Sequence, residues 1–433
     1  MIKKVLIITY YWPPSGGAGV QRWLKFIKYL REYGWEPVVF TADGGEVPVL
    51  DISLQKDIPE NIEVLRGPIW EPYTVYKRLI GQKKEDKIQT GFLTENEKPK
   101  TIEKLSIWIR GNLFIPDARK FWIKPSVKRL SKYLQENKVD AIVSNGPPHT
   151  THMIGLALKK KFNIPWLADF RDPWTNIDFY DKLMLSKWAD KKHHRLEDAV
   201  IKNADSLVTV SPNWAKDFKE HSKRDFNVIY NGFDEKDFTN KDVELDQKFS
   251  IVHIGSMNKD RNPHNLWEVL GQLCSEVDGF HKDLEIKMVG PTDIAIKNAL
   301  IENNLNENLN KIDYVPHSEV VNYLLGAQLL LLPINDTPNS MGVIPGKLFE
   351  YLAARRPIIC IGPLKGDSCR IVNETEAGYT FSFNNKSDLK TTLISLYNEF
   401  TETGKVECSS NSIEKFSRRN LTVQMAELLN EIV

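Results

Sequence analysis

Residues 12–22 read WPPSGGAGVQR and follow the apolar run VLIITYY. Gly16, Gly17 and Gly19 fall between a strand-like run and a segment of helical periodicity. Lacking Cβ atoms, they permit positive φ and the close approach of a ligand or an opposing backbone. A helix beginning near Val20 would add unpaired N–H groups and a partial positive charge, a seat for an anion. A related pattern recurs in FSIVHIGSMNKDRNPHNL, where a strand-like run ends at Gly255 and Arg261 follows six residues later. A guanidinium there can bridge two phosphate oxygens. In NDTPNSMGVIPGKLFEYLAARRPIIC the Pro345-Gly346 turn opens a helix whose first turn carries Lys347 and Glu350. Residues three apart share a helix face, so a cation for phosphate and a carboxylate for two sugar hydroxyls can address one ligand.

In the first half, the most polar strand end is DFRDPW, with Asp169, Arg171 and Asp172. Its carboxylates can orient a reacting hydroxyl or simply pair with Arg171. PPHTTH places His149 and His152 at a helix start after the strand AIVSN; His149, nearer the strand end, can serve a ligand, a helix cap or packing. Two histidines at i and i+3 without a third ligand bind metal weakly. His193 and His194, in WADKKHHRLEDA, are expected on a solvated face. Glu350 can equally be a solvent-facing helix residue. PSGGAG lacks the G-x-G-x-x-G register of dinucleotide binding, and EPVVFTAD offers only Asp43 after the second strand.

Such groups need a scaffold. Strand candidates VLIITYY, EPVVFTA, NIEVLRG, AIVSNG, IPWLADF and SLVTVS alternate with helical patterns, and FNVIYNG, FSIVHIG, LEIKMVG, LLLLPIN, RPIICIG and AGYTFSF repeat the theme. Continuous apolar strands imply parallel sheets covered on both faces. The pattern runs twice, and 433 residues exceed one ordinary core. The break is expected between about Ser211 and Asp246, where SPNWAKDFKEHSKRDF and NGFDEKDFTNKDVELDQ are polar and poor in structure signals. IEKFSRRNLTVQMAELLNEIV reads as one or two amphipathic helices. Residues 69–138 hold no convincing strand and two polar runs, GQKKEDK and TENEKPK, as in an exposed insertion. KLSIWIRGNLFIPDARKFWIKPSVKRLSKYL then mixes Lys, Arg, Trp and Phe with one acid, Asp117. It is either a core helix with a basic solvated face or a surface that docks on anionic lipid.

A net charge of +1 argues against a nucleic-acid binder. No run approaches the roughly 18 apolar residues of a membrane span, and the N-terminal apolar run is too short for a signal peptide. Cys274, Cys360, Cys369 and Cys408 show no metal-ligand spacing and fit a reduced, cytoplasmic protein.

Taken in order, VLIITYYWPPSGGAGVQR, SNGPPHTTHMIGLALKKKFNIPWLADFRDPW, VTVSP, VIYNGFD, IVHIGS and IPGKLFEYLAARRPI resemble glycosyltransferase family 4, retaining enzymes of GT-B fold that use sugar nucleotides. The resemblance covers nearly the whole chain. It implies an α/β architecture of two Rossmann-like, doubly wound domains facing a deep cleft. Residues 1–211 would bind the acceptor, residues 212–408 the nucleotide sugar, and 409–433 would return to the first domain. It implies a UDP- or GDP-sugar donor, a glycan or lipid-linked acceptor and no metal. Gly16 and Gly17 would lie against the donor diphosphate, and Gly255, Ser256, Gly346 and Leu348 would line the donor site. Arg261 and Lys347 would hold the diphosphate and Glu350 the ribose. Asp169, Arg171 and Asp172 stand where the family commonly has a catalytic-site histidine, with His149 and Trp174 toward the acceptor. Gly342 occupies the place of the first glutamate of the family's glutamate pair, and Ser256 that of an arginine. The implied reaction is retaining transfer in cell-surface polysaccharide or lipid-linked glycan synthesis, at the inner face of the cytoplasmic membrane. A nucleotide-sugar epimerase on a similar scaffold stays open, as does a non-catalytic nucleotide-sugar-binding subunit, which Gly342 would suit.

Overall fold

The computed structural model describes residues 2–47, 49–71, 101–177, 179–239 and 242–433. The polar runs GQKKEDK and TENEKPK lie outside the described residues. The chain divides into two compact units, Met1–Tyr230 with Arg418–Val433, and Asn231–Ser417.

The first unit is built on a parallel sheet of β1 (Lys3–Ile8), β2 (Trp35–Asp43), β3 (Glu63–Pro68), β4 (Ala141–Gly146), β5 (Trp166–Phe170), β6 (Ser206–Thr209) and β7 (Asn227–Val228), in the order β3-β2-β1-β4-β5-β6-β7. Strands β4, β5 and β6 bury every residue, which is why they read as unbroken apolar runs. Its helices are α1 (Ala18–Leu30), α2 (Thr101–Leu113), α3 (Ile123–Glu136), α4 (Thr150–Phe162), α5 (Lys187–Asn203) and α6 (Pro212–Ser222). Asp117 joins α2, α3 and α4: its carboxylate accepts from the Arg119 amide and from the Thr150 amide and hydroxyl.

Helix α6 is a departure from the sequence pattern, which treats SPNWAKDFKEHSKRDF as a structure-poor break. Ser211 caps it, its hydroxyl accepting from the Trp214 amide, and Pro212 occupies the first turn. Residues 212–230 therefore complete the first unit, with β7 pairing on β6, and the boundary falls at 230/231 rather than at 211/212.

The second unit carries β8 (Phe249–Ile254), β9 (Leu284–Val289), β10 (Leu309–Ile312), β11 (Leu329–Pro333), β12 (Ile358–Ile361) and β13 (Gly378–Phe381), parallel in the order β10-β9-β8-β11-β12-β13. Its helices include α7 (His264–Glu276), α8 (Ile294–Glu302), α9 (His317–Gly326), α10 (Lys347–Ala354), α11 (Asp367–Glu374) and α12 (Ser387–Thr403). Strand β10, LNKI, escapes the sequence pattern because it is a partly exposed edge strand with no apolar run. Residues 409–417 stay with this unit; Phe416 is buried against Phe349, ring centroids 5.4 Å apart.

Helix α13 (Arg418–Ile432) then returns to the first unit and packs on α1. Leu421, Met425 and Leu429 share a core with Val5, Trp23, Ile27 and Val143. The opposite face of that sheet is filled by Leu6, Phe40, Trp122, Leu130, Ile154 and Phe170. No helix among the described residues is long and apolar enough to cross a membrane.

Each sheet reverses its direction of growth once, between β1 and β4 and between β8 and β11. In open parallel sheets ligands seat outside the carboxyl ends of the strands at that reversal. The corresponding ends are Thr9 and Asn145 in one unit, Gly255 and Asn335 in the other. The return helix supports the first of these ends from behind. Leu421→Ala should cost the first unit about 2–5 kcal/mol, read as faster hydrogen exchange through α1 and α13; exchange at the wild-type rate would show that α13 is not part of that core.

Candidate functional site

In the second unit, β8 gives way to Gly255, whose φ of +88° favours glycine. A Cβ there would stand 3.3 Å from the Lys347 ammonium nitrogen. Arg261 ends a short turn six residues on. Its Nε donates to Asn335 Oδ1 and its Nη1 to the Ser256 carbonyl at 3.2 Å. Asn335 is buried just past β11, so the guanidinium is fixed across the point where the strand order reverses.

Lys347 opens α10 and reaches back to β8, its Nζ 3.1 Å from His253 Nε2. The other ring nitrogen, Nδ1, lies 3.0 Å from the Leu331 carbonyl on β11. Lys347 makes no ion pair among the described residues. Burial lowers its pKa well below the usual lysine value, the charge on Arg261 adds to this, and Glu350 opposes it. Burial likewise holds the His253 imidazole well below its ordinary value, with Lys347 contributing.

Glu350, partly exposed one turn along α10, stands 3.8 Å from His317 Nδ1, whose Nε2 is 3.3 Å from Asp237. Tyr351 is fully buried; its hydroxyl accepts from the Ile254 amide at 3.0 Å and faces the Leu331 carbonyl at 3.4 Å, pinning the end of β8. Gly346 caps α10, and a Cβ there would meet open space. The Leu348 side chain is fully buried and its amide donates to the Pro345 carbonyl, so that residue serves the core. Gly342 is buried in the turn Ser340–Gly342. The structure thus brings Arg261 against Ser256 and Lys347 against Gly255, past the end of β8.

The first unit treats its candidates differently. Gly17, at φ +89°, caps α1. The Gly16 amide is spent on the Val49 carbonyl at 2.8 Å, and a Cβ on Gly16 would lie 2.8 Å from Asp51 Cβ. Close approach of residues 49–51 is what demands glycine at that position. Gly19 is crowded by the Tyr11 ring and Arg171 Nη1, 3.0 and 3.1 Å from where its Cβ would be.

Asp169 is fully buried and takes a bidentate pair from Arg22, Nε to Oδ2 at 2.8 Å and Nη2 to Oδ1 at 3.1 Å, plus the Trp23 indole N–H at 2.7 Å. Arg22 also donates to the carbonyls of Ile229 and Tyr230, both at 3.0 Å. These bonds tie α1 to β5 and to the end of the first unit. The pairing partner of Asp169 is therefore Arg22, not Arg171, and its carboxylate is out of reach of a substrate. Arg171 pairs instead with Asp172, Nη2 to Oδ2 at 3.0 Å, and leaves Nη1 without a hydrogen-bond partner among the described residues. Asp172 keeps a third of its side chain exposed.

His149 stacks face to face on Trp174, centroids 4.5 Å apart and 4° from parallel, so only ring edges remain for a ligand. The Trp174 indole donates to His193 Nδ1 at 3.1 Å. The sequence expectation of a solvated face therefore fails at His193, which is buried, and holds for half-exposed His194. His152 meets the Ser144 hydroxyl at 2.8 Å and stacks on Phe170. Burial pushes its pKa down to about 3 and that of His149 well below normal, so this row of imidazoles is neutral.

Asn335, His253, Tyr351 and His193 hold these groups in place without being marked for it by the spacing of any sequence motif. Only His253 carries a signal, a polar residue inside the apolar run FSIVHI, since a buried polar group is the informative kind. Asp169→Asn should leave Arg22 buried and uncompensated, costing about 3–5 kcal/mol of stability in the first unit, whereas Asp172→Asn, partly exposed, should cost under about 1 kcal/mol. Chemical denaturation distinguishes them; equal, small losses would show that the Arg22 pair is not structural.

Residues 84–237 match the family model described as Glycosyltransferase Family 4, and residues 234–405 match Glycosyl transferases group 1. No curated protein sequence matches the chain. Among solved structures, sucrose-phosphate synthase from Thermosynechococcus elongatus aligns with 99% of this chain and 98% of its own, at 15% identity and a TM-score of 0.62. Anabaena Alr3699/HepE, solved with UDP-glucose, aligns over 99% of both chains at 13% identity and a TM-score of 0.61. A putative UDP-N-acetylglucosamine 2-epimerase from Listeria monocytogenes covers 99% of this chain and 96% of its own, at 11% identity and a TM-score of 0.54. At these identities the likeness is one of fold, and an epimerase shares it. The two family models are more specific, and they fall one on each half of the molecule. The chain belongs to the GT-B glycosyltransferases, with a Glycosyltransferase Family 4 region followed by a Glycosyl transferases group 1 region.

Proposed function

We propose that the chain transfers a sugar from a nucleoside diphosphate sugar to an acceptor hydroxyl with retention of anomeric configuration and without a metal ion. The observation that carries this is the pair of cations in the second unit. Lys347 is held by a neutral imidazole and the Arg261 guanidinium is oriented by an amide oxygen and a carbonyl, which sets two basic side chains beside Gly255 for an anion. Breaking the bond between the anomeric carbon and the diphosphate puts positive charge on the sugar and negative charge on the leaving group. Fixed donors at the developing charge lower that barrier, and two cations supply what a divalent ion would otherwise supply. Gly255 leaves room for the diphosphate, and Glu350 beside His317 is placed to accept ribose hydroxyls. In the first unit, Asp172 with Arg171 is the polar strand end open to an acceptor hydroxyl, and the edges of His149 and Trp174 bound it. Asp169 acts on this site by positioning, through Arg22.

The acceptor we infer is a lipid-linked or surface glycan met at the cytoplasmic face of a membrane. Trp70 (56% exposed) meets Phe121 edge-on at 4.8 Å, and Lys120 lies over Phe114 and Phe121. Trp188 (62% exposed) carries Lys192 over its ring. Asn112 links these regions, donating to the Met184 carbonyl and accepting from the Ser186 amide. Exposed aromatics under basic stems suit an anionic interface.

Incubation with a panel of UDP- and GDP-sugars and glycan acceptors, with products read by NMR, tests the reaction. A transferred sugar with the donor's anomeric configuration is expected. An inverted product removes retention, an isomerised sugar nucleotide from donor alone marks an epimerase, and binding without turnover marks a binding subunit. Because burial lowers the Lys347 pKa, its charge is present at low pH and lost as pH rises, so donor KM should climb with pH below the range where an ordinary lysine titrates. Lys347→Arg, which stays protonated, should flatten that rise, and an unchanged slope would exclude Lys347 from donor binding. Reversing Lys120, Lys124, Lys128 and Arg129 to Glu should abolish binding to phosphatidylglycerol vesicles; unaltered binding would remove the membrane contact.

A further inference from the structure

His253 sits inside β8 among apolar neighbours and is 1% exposed. Both ring nitrogens have partners, and their chemistry fixes the proton. A carbonyl oxygen only accepts, so Nδ1 carries the hydrogen toward Leu331 at 3.0 Å and Nε2 presents a lone pair. The Lys347 ammonium, 3.1 Å away, can therefore donate one N–H to Nε2 and keep two for a ligand. The Leu331 carbonyl that orients the imidazole also faces the Tyr351 hydroxyl, which in turn accepts from the Ile254 amide. The ring is thus anchored to two adjacent strands and to the helix that carries Lys347. The titratable groups around that ammonium are His253, Arg261 and Glu350.

A lysine head on four methylenes is mobile unless something holds it. A carboxylate in the place of His253 would hold it equally well and cancel its charge. A neutral imidazole holds it and leaves the charge intact. We propose that His253 is a positioning residue of the diphosphate seat, aiming the Lys347 ammonium at phosphate oxygens beside Gly255 without neutralising it. This rests on the reading of that seat as the donor diphosphate site.

Inorganic pyrophosphate, which reports the anion seat whatever the base or sugar, is the probe, with calorimetric affinity and circular dichroism measured on the full chain. His253→Leu should weaken pyrophosphate about tenfold, and Lys347→Met at least as much. In the Lys347→Met background, His253→Leu should cost less than about twofold, because its effect passes through the lysine. His253→Gln, whose amide oxygen can accept from the ammonium, should restore most of the affinity. Equal losses in both backgrounds, no loss in either, or no pyrophosphate binding by the wild type would overturn the proposal. Should the leucine variant not fold, His253→Gln against His253→Glu makes the comparison: the glutamine variant binds, the glutamate variant loses tenfold or more, and equal affinities refute the role. Coupling without sugar transfer from any donor would sink the transferase reading and leave the positioning role standing; transfer without coupling would do the reverse.

Discussion

A parallel sheet covered on both faces has no place for a polar side chain along its length unless a partner is built in beside it. Burying a hydroxyl, amide or charge without one costs several kcal/mol. The chemistry of such a unit is therefore pushed to the carboxyl ends of its strands. Both units obey this: Asp172 and Arg171 stand past β5, Asn335 past β11, Gly255 past β8. Several polar groups deeper in the sheets are tied to built-in partners. Ser144 accepts from the Trp166 indole and meets His152, Asp169 takes three donors, and His253 uses both nitrogens.

The two units manage buried cations in opposite ways. In the first, Arg22 is matched to Asp169, and Lys25 and Lys28 converge on Asp57. Those cations are ion-paired where they sit, and their work is to hold α1 against the sheet and its neighbouring segments. In the second, Lys347 has a neutral imidazole for a partner and no ion pair among the described residues. A folded chain tolerates that cost where a ligand later returns it. Mutual repulsion between Lys347 and Arg261 is the same cost seen from the other side, and an anion between them relieves it.

Local signals in the sequence were enough for the unbroken apolar strands, for the paired sheets and for the turns at Gly17 and Gly255, because each depends on residues close in the chain. Lys347 and Glu350 could be placed on one helix turn from their spacing alone. What spacing could not supply was the identity of distant partners. Asp169 meets Arg22 from 147 residues away, Lys347 meets His253 from 94, and Arg261 meets Asn335 from 74. The same limit explains Gly16, whose missing side chain answers to Asp51 and Val49 rather than to a ligand. It also explains His193, buried within a charged helix against the Trp174 indole. The boundary at 230/231 was missed for a local reason: the Ser211 cap and Pro212 announce a helix inside a stretch whose composition looked like a linker.

Because α13 follows the second unit in the chain yet fills a core begun by β1 and α1, the second unit is in effect an insertion within the first. During synthesis, β8 through β13 leave the ribosome and can close on themselves while the apolar side of α1 still lacks Leu421, Met425 and Leu429. The earlier-made half is thus finished last. A break in the chain just after Ser417 would leave a completed second unit attached to a first unit with an open apolar seam, a species for chaperones to recognise.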